Sequence, residues 1–103
     1  MEMCLTGEPI TAADAYKWGL VSQIFPDQAK LMEGAMTLAK KIASKSQMAA
    51  GFTKRAVKNT FEVGETAAIA HERSLFVAAL GTHDKKEGIE AFMKKRKPNF
   101  KDE

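Results

Sequence analysis

The sequence predicts an all-α fold of about five helices with short loops, plus one short extended segment. Three observations lead there. Apolar residues recur at helical spacing along most of the chain. Thr11, Asp27, Ser46 and Thr82, all good helix starters, stand just ahead of those apolar stripes. Gly7, Gly19, Gly64 and Gly81 separate the stripes from one another.

Residues 1–5 read as the end of a helix whose beginning is absent, so Met1 is expected to be an internal methionine of a longer protein. Gly7 and Pro9 then mark a turn. Thr11 opens a short helix, with Asp14 three residues on in the manner of a capping box. Ala12, Ala15, Tyr16 and Trp18 supply its apolar side, and Gly19 ends it as a left-handed cap. Residues 20–25 are apolar and partly β-branched, with Pro26 as their stop. One extended segment cannot form a sheet alone, so it is expected to lie against something outside this chain.

Asp27 caps a long helix over residues 28–45. Its stripe is Leu31, Met32, Ala35, Leu38, Ala39, Ile42 and Ala43. Ser46 begins the next helix, to about residue 61, with Met48, Ala49, Phe52, Ala56 and Phe61 opposite Lys54, Arg55 and Lys58. Residues 66–80 form another helix that is apolar on more than one side, a pattern that implies packing on more than one side. Gly81 ends it, and Thr82 or Asp84 caps the last helix.

Composition narrows the class. At 103 residues the chain is one domain at most. Its 45% hydrophobic and 28% charged residues suit a globular protein, not a disordered one. The net charge of +3 is a mild excess that weakly favours anionic partners. One cysteine, Cys4, excludes an internal disulfide and fits a reducing compartment. It reads as a buried, inert thiol. No spaced Cys/His set suggests a metal site. No apolar run reaches the ~18 residues needed to span a bilayer, and the N-terminus lacks the pattern of a signal peptide. The apolar supply is generous for a free monomer of this size, which favours association.

The last twenty residues, 82–101, carry the most specific pattern. Ile89, Phe92 and Met93 share one helical face, and Lys94, Lys95, Arg96 and Lys97 crowd the last turn before Pro98. Two readings stand open. Spacing alone favours Phe92 as core and the cations as solvated surface. A ring beside cations is also a grip for the base and phosphates of a nucleotide.

A family resemblance bears on that choice. Asp84, Glu87-Gly88, Ala91-Phe92, Lys95-Arg96, Pro98 and Phe100 resemble the C-terminal signature of the crotonase (enoyl-CoA hydratase/isomerase) superfamily. Leu5-Thr6-Gly7, Ile10, Ala12, Ala15 and Gly19-Leu20-Val21 resemble a second segment of that family, in the same order and at about the same spacing. Ile42-Ala43-Ser44 and the ending Asn99-Phe100-Lys101-Asp102 are most similar to the mitochondrial short-chain enoyl-CoA hydratases.

The resemblance implies a C-terminal helical region whose β-β-α spiral core is absent. Residues 1–26 correspond to the end of that core and a linking segment, and residues 27–103 to the helical domain. In the family the core supplies the oxyanion hole and two catalytic glutamates, and neither has a matching position here. The chain is therefore expected to hold no catalytic residue and to be inactive alone, since preorganised oxyanion donors are commonly the largest catalytic contribution. Glu62, Glu65 and Glu72 read as solvated helix surface, and His71 and His83 take no role. Trp18 reads as packing.

By resemblance, Phe92 matches the aromatic beside the adenine of coenzyme A, and Lys95 the lysine near its phosphates. The implied partners are acyl-CoA, as substrate with no separate cofactor, and further copies of the parent protein in a trimer or dimer of trimers. The implied reaction is hydration of trans-2-enoyl-CoA in fatty-acid β-oxidation in the mitochondrial matrix. Without that resemblance, a cytoplasmic location is the default. Isomerases of the family share this tail, and a helical oligomerisation or docking module is the reading from another class. Nucleic-acid binding is disfavoured, because the charge excess is slight and no aromatic residues interleave the cations.

Overall fold

The computed structural model describes all 103 residues and contains six helices and no strand. They are α1 (Glu2–Thr6), α2 (Ala12–Lys17), α3 (Gln28–Ala43), α4 (Gln47–Asn59), α5 (Glu65–Leu80) and α6 (His83–Met93). The all-α expectation holds, with the helical end at the N-terminus counted as a helix of its own. Residues 20–25 make no ladder, as a lone segment must.

The chain divides into two compact units, Met1–Leu38 and Ala39–Glu103, with the boundary inside α3. In the first, Gly7 closes α1 at φ 72°, its N–H donating to the Met3 carbonyl. The Thr11 hydroxyl accepts from the Asp14 N–H at 3.1 Å and donates to the Asp14 carboxylate at 2.6 Å. The shorter Asp thus binds the capping hydroxyl, where the Glu of a full capping box reaches the backbone N–H. Gly19, at φ 77°, completes a Schellman turn in which the Leu20 N–H reaches the Ala15 carbonyl. Asp27 caps α3 through the Lys30 N–H at 2.7 Å. Within α3, Gly34 leaves room for the ring of Phe25: a Cβ there would stand 2.4 Å from ring carbons.

In the second unit, α4 and α5 form an antiparallel hairpin. Ala56, Val57 and Thr60 face Glu65, Ala68 and Ile69 near the connection, while Ala49 and Phe52 face Phe76 and Ala79 at the open end. Ser46 caps α4 by accepting the Ala49 N–H, and Thr82 caps α6 by accepting the Lys85 N–H. A groove of about 360 Å³ is lined by Ala49, Phe76, Leu80, Gly88 and Phe100.

Burial departs from an ordinary core. The only buried apolar residues are Ala15, Ala68 and Ala91, and no large side chain is fully enclosed. The stripes drawn from periodicity are present, but their large members face outward: Leu31, Met32, Leu38 and Ile42 on α3, Ile69, Phe76, Val77 and Leu80 on α5. Cys4 is exposed, which corrects the expectation of a buried thiol. The reason is that α1 has no neighbour to cover it; none of its residues is buried. Trp18 is exposed too, so it does not pack within this chain.

Candidate functional site

The candidate site is built at the C-terminal end of α6. The basic residues were expected to fill the last helical turn, yet the helix ends at Met93 and the cations lie beyond it. Lys94 is the cap, and Lys95 turns left-handed at φ 50°. The Lys95 N–H donates to the Phe92 carbonyl at 3.2 Å and the Arg96 N–H to the Ala91 carbonyl at 3.0 Å. Those are the two bonds of a Schellman turn, with lysine where glycine is usual. A side chain at that position costs roughly 1–2 kcal/mol of backbone strain, so the surroundings must hold it.

Glu87 supplies the hold. Its two carboxylate oxygens accept from the Arg96 guanidinium at 2.6 and 2.8 Å, and one also accepts the Asn99 N–H at 2.7 Å. The Arg96 hydrogen bonds, then the Asn99 N–H, pull the Glu87 carboxyl down to about 2, against the opposing effect of desolvation. The same pairing raises Arg96 further above its ordinary value. Glu90 pairs with Lys94, whose hydrogen bond and charge lower the Glu90 carboxyl.

The four cations are thereby sorted. Lys94 and Arg96 are engaged by carboxylates of α6, while Lys95 and Lys97 make no ion pair. Phe92 is 86% exposed, and Ile89 and Met93 are exposed beside it. The face drawn as core in one of the two sequence readings is thus open to solvent in this chain. Because the helix stops early, Phe92 and Lys95 are joined through the turn and not as neighbours on a continuing helix.

A second polar cluster steadies the tail. Asp84 is 3% exposed, and its carboxylate accepts the N–H groups of Lys101 at 2.8 Å and Asp102 at 3.1 Å. Burial alone would raise Asp84; the Ser46 hydroxyl, the two N–H donors and the His83 charge outweigh it and leave the carboxyl below its ordinary value. The tail returns bonds of its own. Asp102 accepts the Gln47 N–H at the start of α4, and the main-chain oxygen of Glu103 accepts those of His83 and Asp84 at the start of α6. Of the two candidate caps for α6, Thr82 does the capping, and Asp84 is a clasp for residues 101 and 102.

No three His, Cys, Asp or Glu side chains come together in a way that could hold a metal ion. No helix is long and apolar enough to cross a membrane. Glu62, Glu65 and Glu72 are exposed, as are His71 and His83, and none forms a paired acid/base site.

The model of the enoyl-CoA hydratase/isomerase family matches residues 1–103. The chain belongs to that family. It is 46% identical over 103 residues to a protein of Pongo abelii named mitochondrial enoyl-CoA hydratase, covering all of this chain and 35% of that one. It is 45% identical over 100 residues to the 2,3-dehydroadipyl-CoA hydratase of Escherichia coli K12, covering 97% of this chain and 39% of that one. Among solved structures, an enoyl-CoA hydratase/isomerase homologue from Mycobacterium abscessus superposes with a TM-score of 0.91 at 36% identity, over the whole chain and 42% of its own length. The chain thus spans well under half the length of the relatives it matches. It is a helical region of this family, which is named for work on enoyl-CoA thioesters.

Glu87, Arg96 and Asp84 all stand in the quoted C-terminal pattern, yet the pairing of Glu87 with Arg96 and the burial of Asp84 were not read from it. Both pairings bridge nine residues or more. Helical spacing rules see only three or four.

Proposed function

We propose that this chain is the C-terminal helical part of an enoyl-CoA hydratase, which adds water across a trans-2-enoyl thioester to give the 3-hydroxyacyl-CoA of fatty-acid β-oxidation. Residues 1–26 end the core and link it to the helical domain of residues 27–103. Phe92 lies by the adenine of coenzyme A, and Lys95 makes a charge-assisted contact with its phosphates. No residue here does the chemistry, so the chain alone is inactive.

The observation that carries the reading is at the end of α6: an exposed aromatic, Phe92, followed by a turn whose one strained residue, Lys95, is a cation without an ion-pair partner. The exposed faces of α3 and α5 support a second role, burial against the rest of such an enzyme and against further copies of it in a trimer or dimer of trimers. The name of the Pongo relative supports a mitochondrial location, and within it the matrix is the compartment proposed.

Calorimetric titration with coenzyme A tests the site. Lys95→Ala is expected to weaken binding by about 3- to 10-fold, in the range of an exposed to partly desolvated charge contact, and to leave helicity unchanged. Equal affinity for the two proteins would remove Lys95 from the site. A hydration assay on trans-2-butenoyl-CoA tests the rest: turnover by the chain alone would overturn the assignment of catalysis to other parts of the enzyme.

A further inference from the structure

We propose that Glu87 is a positioning residue that presents Lys95 to the anion by holding Arg96 away from it. The inference rests on the coenzyme reading above. Lys95 and Arg96 are adjacent cations in one turn, and either could in principle meet a phosphate. The geometry separates them. Arg96 is gripped through its two terminal guanidinium nitrogens at 2.6 and 2.8 Å, and the Asn99 N–H is tied to the same carboxylate at 2.7 Å. The Glu87 side chain is only 14% exposed, so this grip is set into the fold and is not a loose surface pair. Residues 96 and 99 are thereby fixed to α6, and Lys95 is left as the left-handed residue between α6 and that anchor. A non-glycine residue relaxes out of this conformation unless its surroundings prevent it. Here the restraint on its C-terminal side comes from Glu87.

The proposal has a sign that distinguishes it from plain electrostatics. Glu87 is an anion close to a proposed anion site. If it acted only through its charge, removing it would tighten coenzyme binding. If it acts through Lys95, removing it weakens binding even though a negative charge is lost.

The experiment is a double-mutant cycle on the full chain, read by coenzyme A affinity and by amide hydrogen exchange. Glu87→Gln is expected to weaken binding about 3-fold and to speed exchange at Arg96 and Asn99. The Glu87→Gln/Lys95→Ala double variant should bind no more weakly than Lys95→Ala alone, because both changes remove one contact. Arg96→Lys keeps the charge but not the two-oxygen grip, and should fall between wild type and Glu87→Gln. This variant guards against a folding defect in Glu87→Gln. If Lys95→Ala leaves affinity unchanged, or the wild type does not bind, the coenzyme reading falls and takes this proposal with it. If Lys95→Ala weakens binding while Glu87→Gln tightens it, leaves it alone or adds to Lys95→Ala in full, the coenzyme site stands and the positioning role is wrong. Unchanged exchange at Arg96 and Asn99 would also sink the positioning role.

Discussion

The clasp around α6 and the hairpin of α4 and α5 belong to one compact unit and are built on opposite terms. Around α6 the polar groups find partners inside the chain: Asp84 with Lys101 and Asp102, Glu87 with Arg96 and Asn99, Asp102 with Gln47. On α5 the apolar groups do not. Phe76 is 63% exposed and Val77 66%, although the helix is apolar on more than one side. A hydrogen bond is short-range and directional, so a few polar groups brought together within the chain can satisfy one another. Burial of a large apolar side chain, ~1.5–3 kcal/mol each, needs surface on the other side. The chain ties down its own tail and leaves the large apolar side chains of α5 uncovered.

The comparison can be broken most forcefully at Asp84. Asp84→Ala leaves the Lys101 and Asp102 N–H groups without their acceptor, in a nearly closed site. We expect the largest fall in melting temperature of any variant named here, with loss of exchange protection at residues 83, 101 and 102. A fall no larger than that of an α5 surface substitution would mean that the clasp adds nothing to the fold.

Acid attacks the same region. Glu87 and Asp84 both titrate below their ordinary values of 4.5 and 3.8 when folded. A depressed folded pKa contributes stability that is complete above the unfolded value and lost as pH falls through the folded one. Protection of the tail should therefore hold above pH 4.5 and decline as pH drops toward about 2, the folded value of Glu87. Exchange measured across that window checks it; a decline that begins near neutrality would overturn the assignment to these two carboxylates.

Smaller effects sharpen the contrast. Ser46→Ala removes a helix cap and should cost about 1 kcal/mol, seen as a lower denaturant midpoint with unchanged slope. Lys95→Gly relieves the left-handed turn and should gain about 1 kcal/mol while weakening coenzyme A binding. That opposite movement of stability and affinity is the signature of strain kept for function, and a loss of both would argue against it. On α5, Val77→Ser, away from the contact with α4, should change stability by no more than about 0.5 kcal/mol. Self-association, followed by light scattering, should nonetheless fall.

The helix plan was legible because its signals are local. Thr11, Asp27, Ser46 and Thr82 each cap the helix they were read to cap, through an N–H three residues on. The end of α6 was not legible, since a lysine does not announce a left-handed residue as Gly19 does. Nor was the exposure of Cys4, because helical periodicity says which face is apolar and not whether anything covers it. Spacing set Phe92 beside a cluster of cations as one of two open readings, and only the family pattern singled out Phe92 with Lys95. Sequence spacing could not have sorted Lys95 from Arg96, because that depends on where the Glu87 side chain reaches.

One detail of the clasp bears on which sequences could replace this one. Glu87 and Asp84 hold residues 99, 101 and 102 by their main-chain N–H groups. For this purpose the side chains at 99 and 101 are immaterial, and almost any residue could drift into either place. Proline alone could not, since it has no N–H to give. Pro98, one step earlier, is where the chain can carry that ring and still be held.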